Sequence, residues 1–80
     1  MSIYDFIESI NDTENIIFRL FDCNREDLVY VYTDDGEKSQ LTASELLESD
    51  YADYEIGSMD MWIDNGKIYI ELNIETEEEE

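Results

Sequence analysis

The strongest constraint on the fold lies near the C-terminus, where an Asn-Gly pair precedes a strict alternation of apolar residues. Every second position after Asn65-Gly66 is aliphatic: Ile68, Ile70, Leu72 and Ile74. This period of two is typical of a strand with one face in the core, and Asn-Gly between extended runs predicts a tight hairpin turn. We therefore expect a hairpin of Asp53–Ile63 with Lys67–Glu75. A shift of apolar parity at Gly57-Ser58 predicts a β-bulge in its first strand.

Two further extended segments precede this hairpin. Asn15–Cys23 and Leu28–Thr33 are rich in β-branched and aromatic residues, and the polar segment Asn24–Asp27 between them predicts a turn. Asp34-Asp35-Gly36 then predicts a second tight hairpin of type I′, after which Glu37–Leu41 is a candidate short strand.

Two segments have the pattern of short helices. Ser2 is a candidate N-cap for a helix that extends to Ile10 with one apolar stripe. Thr42 and Glu45 match the capping box of a second helix that ends near Ser49.

The element order is α-β-β-(β)-α-β-β. It predicts an α+β domain of residues 1–75, with a single mainly antiparallel sheet of four to five strands and both helices on one face. Residues 76–80 are predicted to be a disordered acidic tail.

The charge of the chain restricts its partners. Asp and Glu number 23 against four Lys and Arg, so the net charge is −19, yet 42% of the residues are apolar, which favours a folded domain over a disordered one. Such a surface opposes direct binding to nucleic acid or to anionic membranes, because phosphates require cations.

No apolar run is long enough to span a bilayer, and the N-terminus lacks the basic region of a signal peptide. The lone Cys23 favours a reducing compartment. We therefore expect a cytoplasmic protein, in the host cytoplasm if a phage encodes it.

Catalysis is not expected. The chain has no His, the commonest general base, and its three glycines do not form a phosphate-binding loop. The acidic run Asp34–Glu37 and the segment Asp60–Gly66 do not fit the register of a calcium-binding loop. We expect no enzyme activity, no cofactor and no metal site.

Two groups of side chains are candidates for partner binding. Carboxylates at the hairpins and after the second helix are expected to project from the surface: Asp34, Asp35, Glu37, Glu48, Asp50, Asp53, Glu55, Asp60 and Asp64. Aromatic residues on the sheet face away from the helices form a possible second interface: Phe21, Tyr30, Tyr32, Trp62 and Tyr69.

In composition and element order, the chain resembles small acidic inhibitors of phages and mobile elements. These include DNA-mimicking anti-CRISPR proteins, anti-restriction proteins and uracil-DNA glycosylase inhibitors. The resemblance implies an inhibitor whose carboxylates take the place of phosphates in the channel of a basic nucleic-acid-binding protein or nuclease complex, with a Cas effector favoured. Two alternatives stay open: an immunity protein or antitoxin that caps a nuclease, and a non-catalytic structural or regulatory domain that dimerises through its sheet. The chain is accordingly expected to be a monomer or a homodimer.

Overall fold

The computed structural model describes residues 1–76. It is an α+β domain with a four-stranded sheet, a separate two-stranded hairpin and two short helices. The elements in chain order are α1 (Ile3–Glu8), β1 (Ile16–Asp22), β2 (Asp27–Leu28), β3 (Val31–Thr33), β4 (Gly36–Lys38), α2 (Ala43–Leu47), β5 (Ser58–Asp64) and β6 (Lys67–Ile74). No helix in this part of the chain is long and apolar enough to cross a membrane.

The sheet is mixed, with strand order β2-β1-β6-β5. The central pair β1 and β6 is parallel, whereas β1 pairs antiparallel with β2, and β5 pairs antiparallel with β6. The predicted class is therefore confirmed, but the expectation of a single mainly antiparallel sheet is wrong in its details. The apolar alternation shows which face of each strand is buried, and it contains no information on the neighbour or direction of strands distant in the sequence.

One predicted strand is divided between the two sheets. Leu28 pairs with Phe21 of β1, but Val31 pairs with Lys38 in the β3–β4 hairpin. Leu41, which follows the β3–β4 hairpin in the sequence, forms reciprocal 2.8 Å backbone hydrogen bonds with Phe18 of β1. These bonds connect the end of the hairpin segment to the main sheet. Val29 still donates a 2.9 Å backbone hydrogen bond to Leu20 of β1, and Val29 and Val31 are both buried in the core.

The core lies between the sheet and the two helices. Phe18 and Leu20 of β1 and Leu72 of β6 are fully buried, and they belong to the same apolar cluster as Ile3 of α1 and Leu46 of α2. Because both helices contribute to one cluster on one sheet face, their predicted placement agrees with the structure.

Both helices begin at the predicted caps. The Ser2 hydroxyl accepts a 3.1 Å hydrogen bond from the Asp5 amide. In α2, the Thr42 hydroxyl accepts from the Glu45 amide at 3.2 Å, and Glu45 Oε1 accepts from the Thr42 amide at 3.0 Å. These reciprocal bonds form the capping box that the sequence predicts.

The two hairpin turns differ in type. Asn65 and Gly66 both have positive φ, at 53° and 78°, as a type I′ turn requires. In the β3–β4 hairpin only Gly36 has positive φ, at 103°, because the two loop residues are Asp34 and Asp35. The hairpin is therefore confirmed, but its predicted type I′ turn is wrong.

The end of β6 is fastened by a buried carboxylate. Asp22, with 1% exposure, accepts hydrogen bonds from the Asn24 amide at 3.0 Å, from the Thr76 amide at 3.3 Å and from the Thr76 hydroxyl. These bonds connect Thr76 to the turn that follows β1. The other residues of the predicted tail, 77–80, lie outside the described part of the chain.

Candidate functional site: an acidic-tyrosine patch and two faces of the β5–β6 hairpin

The structure brings carboxylates from two separate segments to one surface. Two adjoining shallow depressions share Tyr32, Glu48 and Ser49 in their walls. Asp34, at the tip of the β3–β4 hairpin, lines the first depression, and Tyr30 and Asp50 line the second. Glu37 is the cross-strand neighbour of Tyr32. We call this surface the acidic-tyrosine patch, and it consists of Tyr30, Tyr32, Asp34, Glu37, Glu48 and Asp50.

All six side chains of the patch are exposed. Tyr32 retains 83% of its accessible surface and Tyr30 retains 57%. Within residues 1–76, no Lys or Arg forms an ion pair with the carboxylate of Asp34, Glu48 or Asp50. The charged groups of the patch are therefore all negative, and its two tyrosine rings are exposed for contact.

Lys38, which follows Glu37 on β4, is paired with two carboxylates outside the patch. The Lys38 ammonium donates a 2.8 Å hydrogen bond to Glu45 Oε2, and it lies 3.9 Å from Asp35 Oδ2. The hydrogen bond with Glu45 raises the pKa of Lys38, and the same bond, together with the Thr42 amide, lowers the pKa of Glu45. Both groups thus stay charged at neutral pH. Lys38 compensates the charge of Glu45 and, more weakly, that of Asp35. It forms no ion pair with Asp34, Glu48 or Asp50 of the patch.

The position of Glu48 adds to the negative potential. Glu48 is the C-cap of α2, and the last turn of this helix contains no basic residue. Carbonyl groups at a helix C-terminus carry partial negative charge and favour a cation, so a carboxylate at this position opposes the stability of the helix.

The other predicted carboxylates are exposed but lie elsewhere. Asp53 lies between two residues whose carbonyls accept backbone bonds from α1, and Glu55 accepts a 2.9 Å hydrogen bond from the Met1 ammonium. Asp60 is on β5, opposite Glu71, and Asp64 is at the base of the type I′ turn, opposite Lys67. The predicted set of nine therefore occupies several surfaces, of which the acidic-tyrosine patch is one.

The predicted aromatic interface is also divided. Trp62 and Tyr69 stack across β5 and β6 on the sheet face away from the helices, with ring centroids 5.7 Å apart and planes 4° apart. The Arg19 guanidinium lies 5.1 Å from the centre of the Trp62 ring and donates through Nε to Glu71 at 3.2 Å. The half-buried Phe21 lies on the same face of β1.

Tyr30 and Tyr32 are not part of this face, because their segment leaves the main sheet after Leu28. The Trp62 ring contacts both Tyr69 and the Arg19 guanidinium. The rings of Tyr30 and Tyr32 in the acidic-tyrosine patch are instead largely exposed.

An apolar surface on β5 and β6 was not foreseen from the sequence. Ile68 was expected in the core, but it is 37% exposed, and its cross-strand neighbour Ile63 is 75% exposed. All seven residues of β5 are exposed, including Met59 and Met61. The alternation of Met59, Met61 and Ile63 predicts correctly that these side chains lie on the helix side of the sheet. Alternation does not report how far the helices extend across the sheet, and the core ends before β5.

Among residues 1–76, no group of three or more His, Cys, Asp or Glu is placed to hold a metal ion. Comparison of the chain with protein-family models, with curated proteins and with solved structures gives no match.

Proposed function

We propose that this protein is an acidic inhibitor that mimics nucleic acid and blocks the DNA- or RNA-binding channel of a host defence nuclease complex. The observation that supports this function best is the acidic-tyrosine patch. It joins uncompensated carboxylates from a hairpin tip and a helix end, and it places exposed tyrosines beside them.

The chemistry of the patch suits a basic channel. Arg and Lys that hold phosphates form equally favourable charge-assisted hydrogen bonds with carboxylates. A hairpin tip and a helix end project from the domain, so Asp34 and Glu48 can enter a groove that excludes a flat surface. Tyr30 and Tyr32 can stack on guanidinium groups, and their rings lose little conformational entropy on binding.

The net charge supports the same function. A molecule with a charge of −19 is attracted to a cationic channel before contact, which raises the association rate at low salt. The uncompensated carboxylates of the acidic-tyrosine patch then provide short-range complementarity.

The test compares two variants with equal loss of charge. The patch variant carries Asp34→Asn, Glu48→Gln and Asp50→Asn. The dispersed control carries Glu8→Gln, Glu14→Gln and Glu75→Gln, at exposed positions outside the patch. Each protein competes with a labelled DNA duplex for a panel of RNA-guided nuclease complexes, and displacement is followed by fluorescence anisotropy.

The unmodified protein should displace the duplex from at least one complex. The patch variant should require about tenfold more protein, because several charged contacts are lost, while the dispersed control should stay within about threefold of the parent. The salt dependence of competition should also flatten for the patch variant. Equal competition by the two variants would show that the patch is not part of the interface. Displacement of DNA from none of the complexes would contradict this function. Inhibition of an isolated toxic nuclease instead would indicate the immunity-protein alternative.

A further inference from the structure

The outer edge of β5 is the longest unpaired strand edge in the described structure. β5 pairs with β6 on one side and is the terminal strand of the sheet, whereas the opposite terminal strand, β2, has only two residues. On the helix side of the sheet, Met61 is 65% exposed and Ile63 is 75% exposed. A long edge with apolar side chains is a template for another strand, and proteins usually cover or charge such an edge.

The turn geometry shows which backbone groups point outward. In the type I′ turn, the Lys67 amide bonds back to the Asp64 carbonyl, so Asp64 and Lys67 form a hydrogen-bonded pair. Bonded and non-bonded pairs alternate along an antiparallel ladder. Trp62, Asp60 and Ser58 therefore bond to β6 as well. The amides and carbonyls of the remaining residues point away from the sheet: Met59, Met61 and Ile63.

We propose that a second copy of this chain covers this edge, by antiparallel pairing of the two β5 strands about a two-fold axis at Met61. Met61 would pair with Met61 of the second copy, and Met59 with Ile63 of the second copy. Every outward-pointing peptide group of β5 then meets an outward-pointing group of the other copy. The two sheets become one continuous sheet, and neither copy retains a free β5 edge.

The charges on β5 favour this register over its neighbours. When the axis lies at Met61, Asp60 faces Trp62 of the second copy and Asp64 faces its Ser58. A shift of the axis to Asp60 would place the two Asp60 carboxylates directly opposite each other, and a shift to Trp62 would place Asp60 opposite Asp64. Like charges in directly opposite positions destabilise a strand pair.

The side chains match in this register as well. Antiparallel pairing about a two-fold axis perpendicular to the sheet keeps equivalent faces together. The exposed apolar side chains of both copies thus meet on the helix side of the sheet: Met59, Met61 and Ile63, with Ile68 beside them. On the other side, the Trp62–Tyr69 stacks of the two copies become neighbours.

The charge of −19 on each copy opposes association, so the dimer should strengthen with salt. Sedimentation velocity over a wide range of protein concentration, at low and moderate ionic strength, should show a monomer–dimer equilibrium that moves toward dimer as salt rises. This test does not involve the acidic-tyrosine patch, so its outcome is independent of the proposed inhibitor function. A chain that stays monomeric at the highest concentration and salt would overturn the proposal, and the edge would then be available to an extended cationic segment of another protein.

Met61→Pro tests the backbone pairing. The Met61 amide does not bond to β6, so proline at this edge position leaves the ladder within one copy intact but removes the donor at the centre of the interface. The dissociation constant of the dimer should rise about tenfold or more. Asp60→Asn is the control on the same strand and should dimerise at least as well as the parent. Circular dichroism checks that both variants fold, and undiminished dimerisation of a folded Met61→Pro protein would overturn the proposal.

Cross-linking tests the register without a need for proline. In a Cys23→Ser background, Met61→Cys should form a disulfide-linked dimer on oxidation, because paired residues of an antiparallel ladder have Cα atoms about 5.5 Å apart. Asp60→Cys should cross-link poorly, since the two copies of residue 60 would be offset along the strands. Equal or faster cross-linking of Asp60→Cys would overturn the register.

Discussion

At the level of single residues, Asp22 is the buried charged side chain among residues 1–76. Burial of its carboxylate by itself raises the pKa, but hydrogen bonds from Thr76, Asn24 and Arg25 more than offset this effect, so the pKa of Asp22 lies below its usual value. The Arg25 guanidinium adds a distant ion pair at 4.0 Å. A carboxylate satisfied in this way connects the β1–β2 turn to the end of β6.

Asp22→Asn should lower the free energy of unfolding by about 2 kcal/mol, because hydrogen bonds to a buried charged group are lost and the new amide faces donors. Urea denaturation measures this difference. Asp60→Asn, at an exposed position, is the matched control and should change stability by about 0.5 kcal/mol or less. An Asp22→Asn protein as stable as the parent would show that the carboxylate does not hold Thr76 in solution.

The cost of Asp22→Asn should also depend on pH. Because the pKa of Asp22 is lower in the folded state than in the unfolded state, its stabilising effect is complete above the unfolded value of about 3.9 and is lost as pH falls through the folded value. The difference in unfolding free energy between parent and variant should therefore be constant from pH 7 to pH 5 and shrink below pH 4. A difference that grows on acidification would contradict the direction of this pKa shift.

At the level of elements, the β5–β6 hairpin depends on Gly66 and Gly57 to different extents. Gly66 has a φ of +78° inside the type I′ turn that sets the register of β5 against β6. Gly57 immediately precedes β5 and has no positive φ, and its amide donates to the Asn73 carbonyl at 2.8 Å. Asn73 is also the partner of Ser58, so two residues oppose one, as in the β-bulge expected there.

Gly66→Ala should destabilise the domain by about 1–2 kcal/mol, because a Cβ is strained at positive φ even where space is open. Gly57→Ala is the control within the same hairpin. A Cβ there would meet the Asn73 carbonyl oxygen at 3.4 Å, an ordinary contact distance, so we expect a change of about 0.5 kcal/mol or less. Chemical denaturation of both variants measures the effect, and equal stabilities would contradict the assignment of a type I′ turn.

At the scale of the whole molecule, repulsion between like charges opposes folding. Residues 1–76 carry −15 of the net charge of −19, and their radius of gyration is 12.1 Å. This radius is well below the Debye length of about 30 Å at 0.01 M salt but above the ~8 Å at physiological ionic strength. Carboxylates across the whole domain therefore repel one another at low salt, and added salt weakens their repulsion. The four Lys and Arg residues are too few to compensate this charge.

The melting temperature at pH 7 should consequently rise by several degrees between low salt and about 0.3 M salt. The measurement requires a low protein concentration, so that the monomer predominates. Sodium chloride and sodium sulfate at equal ionic strength should give similar shifts, since screening depends on ionic strength and not on the anion. A melting temperature that is flat or falls would show that the folded state does not suffer net repulsion.

Features that depend only on neighbouring residues could be predicted from the sequence. The caps at Ser2 and Thr42, the hairpins at Gly36 and Asn65-Gly66, and the buried alternation from Ile70 to Ile74 all follow from local geometry and are present in the structure. The α+β class follows from the order of these elements. The exposure of the acidic candidates was also predictable, because uncompensated carboxylates are seldom buried.

The contacts between distant segments could not be predicted from the sequence and are seen in the folded domain. The fold made β1 and β6 parallel neighbours, separated Tyr30 and Tyr32 from Trp62, and placed Asp34 beside Glu48. It also left β5 beyond the edge of the core, although Met61 and Ile63 have the same alternation as buried residues. The physical reason is that periodicity reports the direction of a side chain relative to its own strand, while burial and neighbours depend on how far the other elements extend across the sheet.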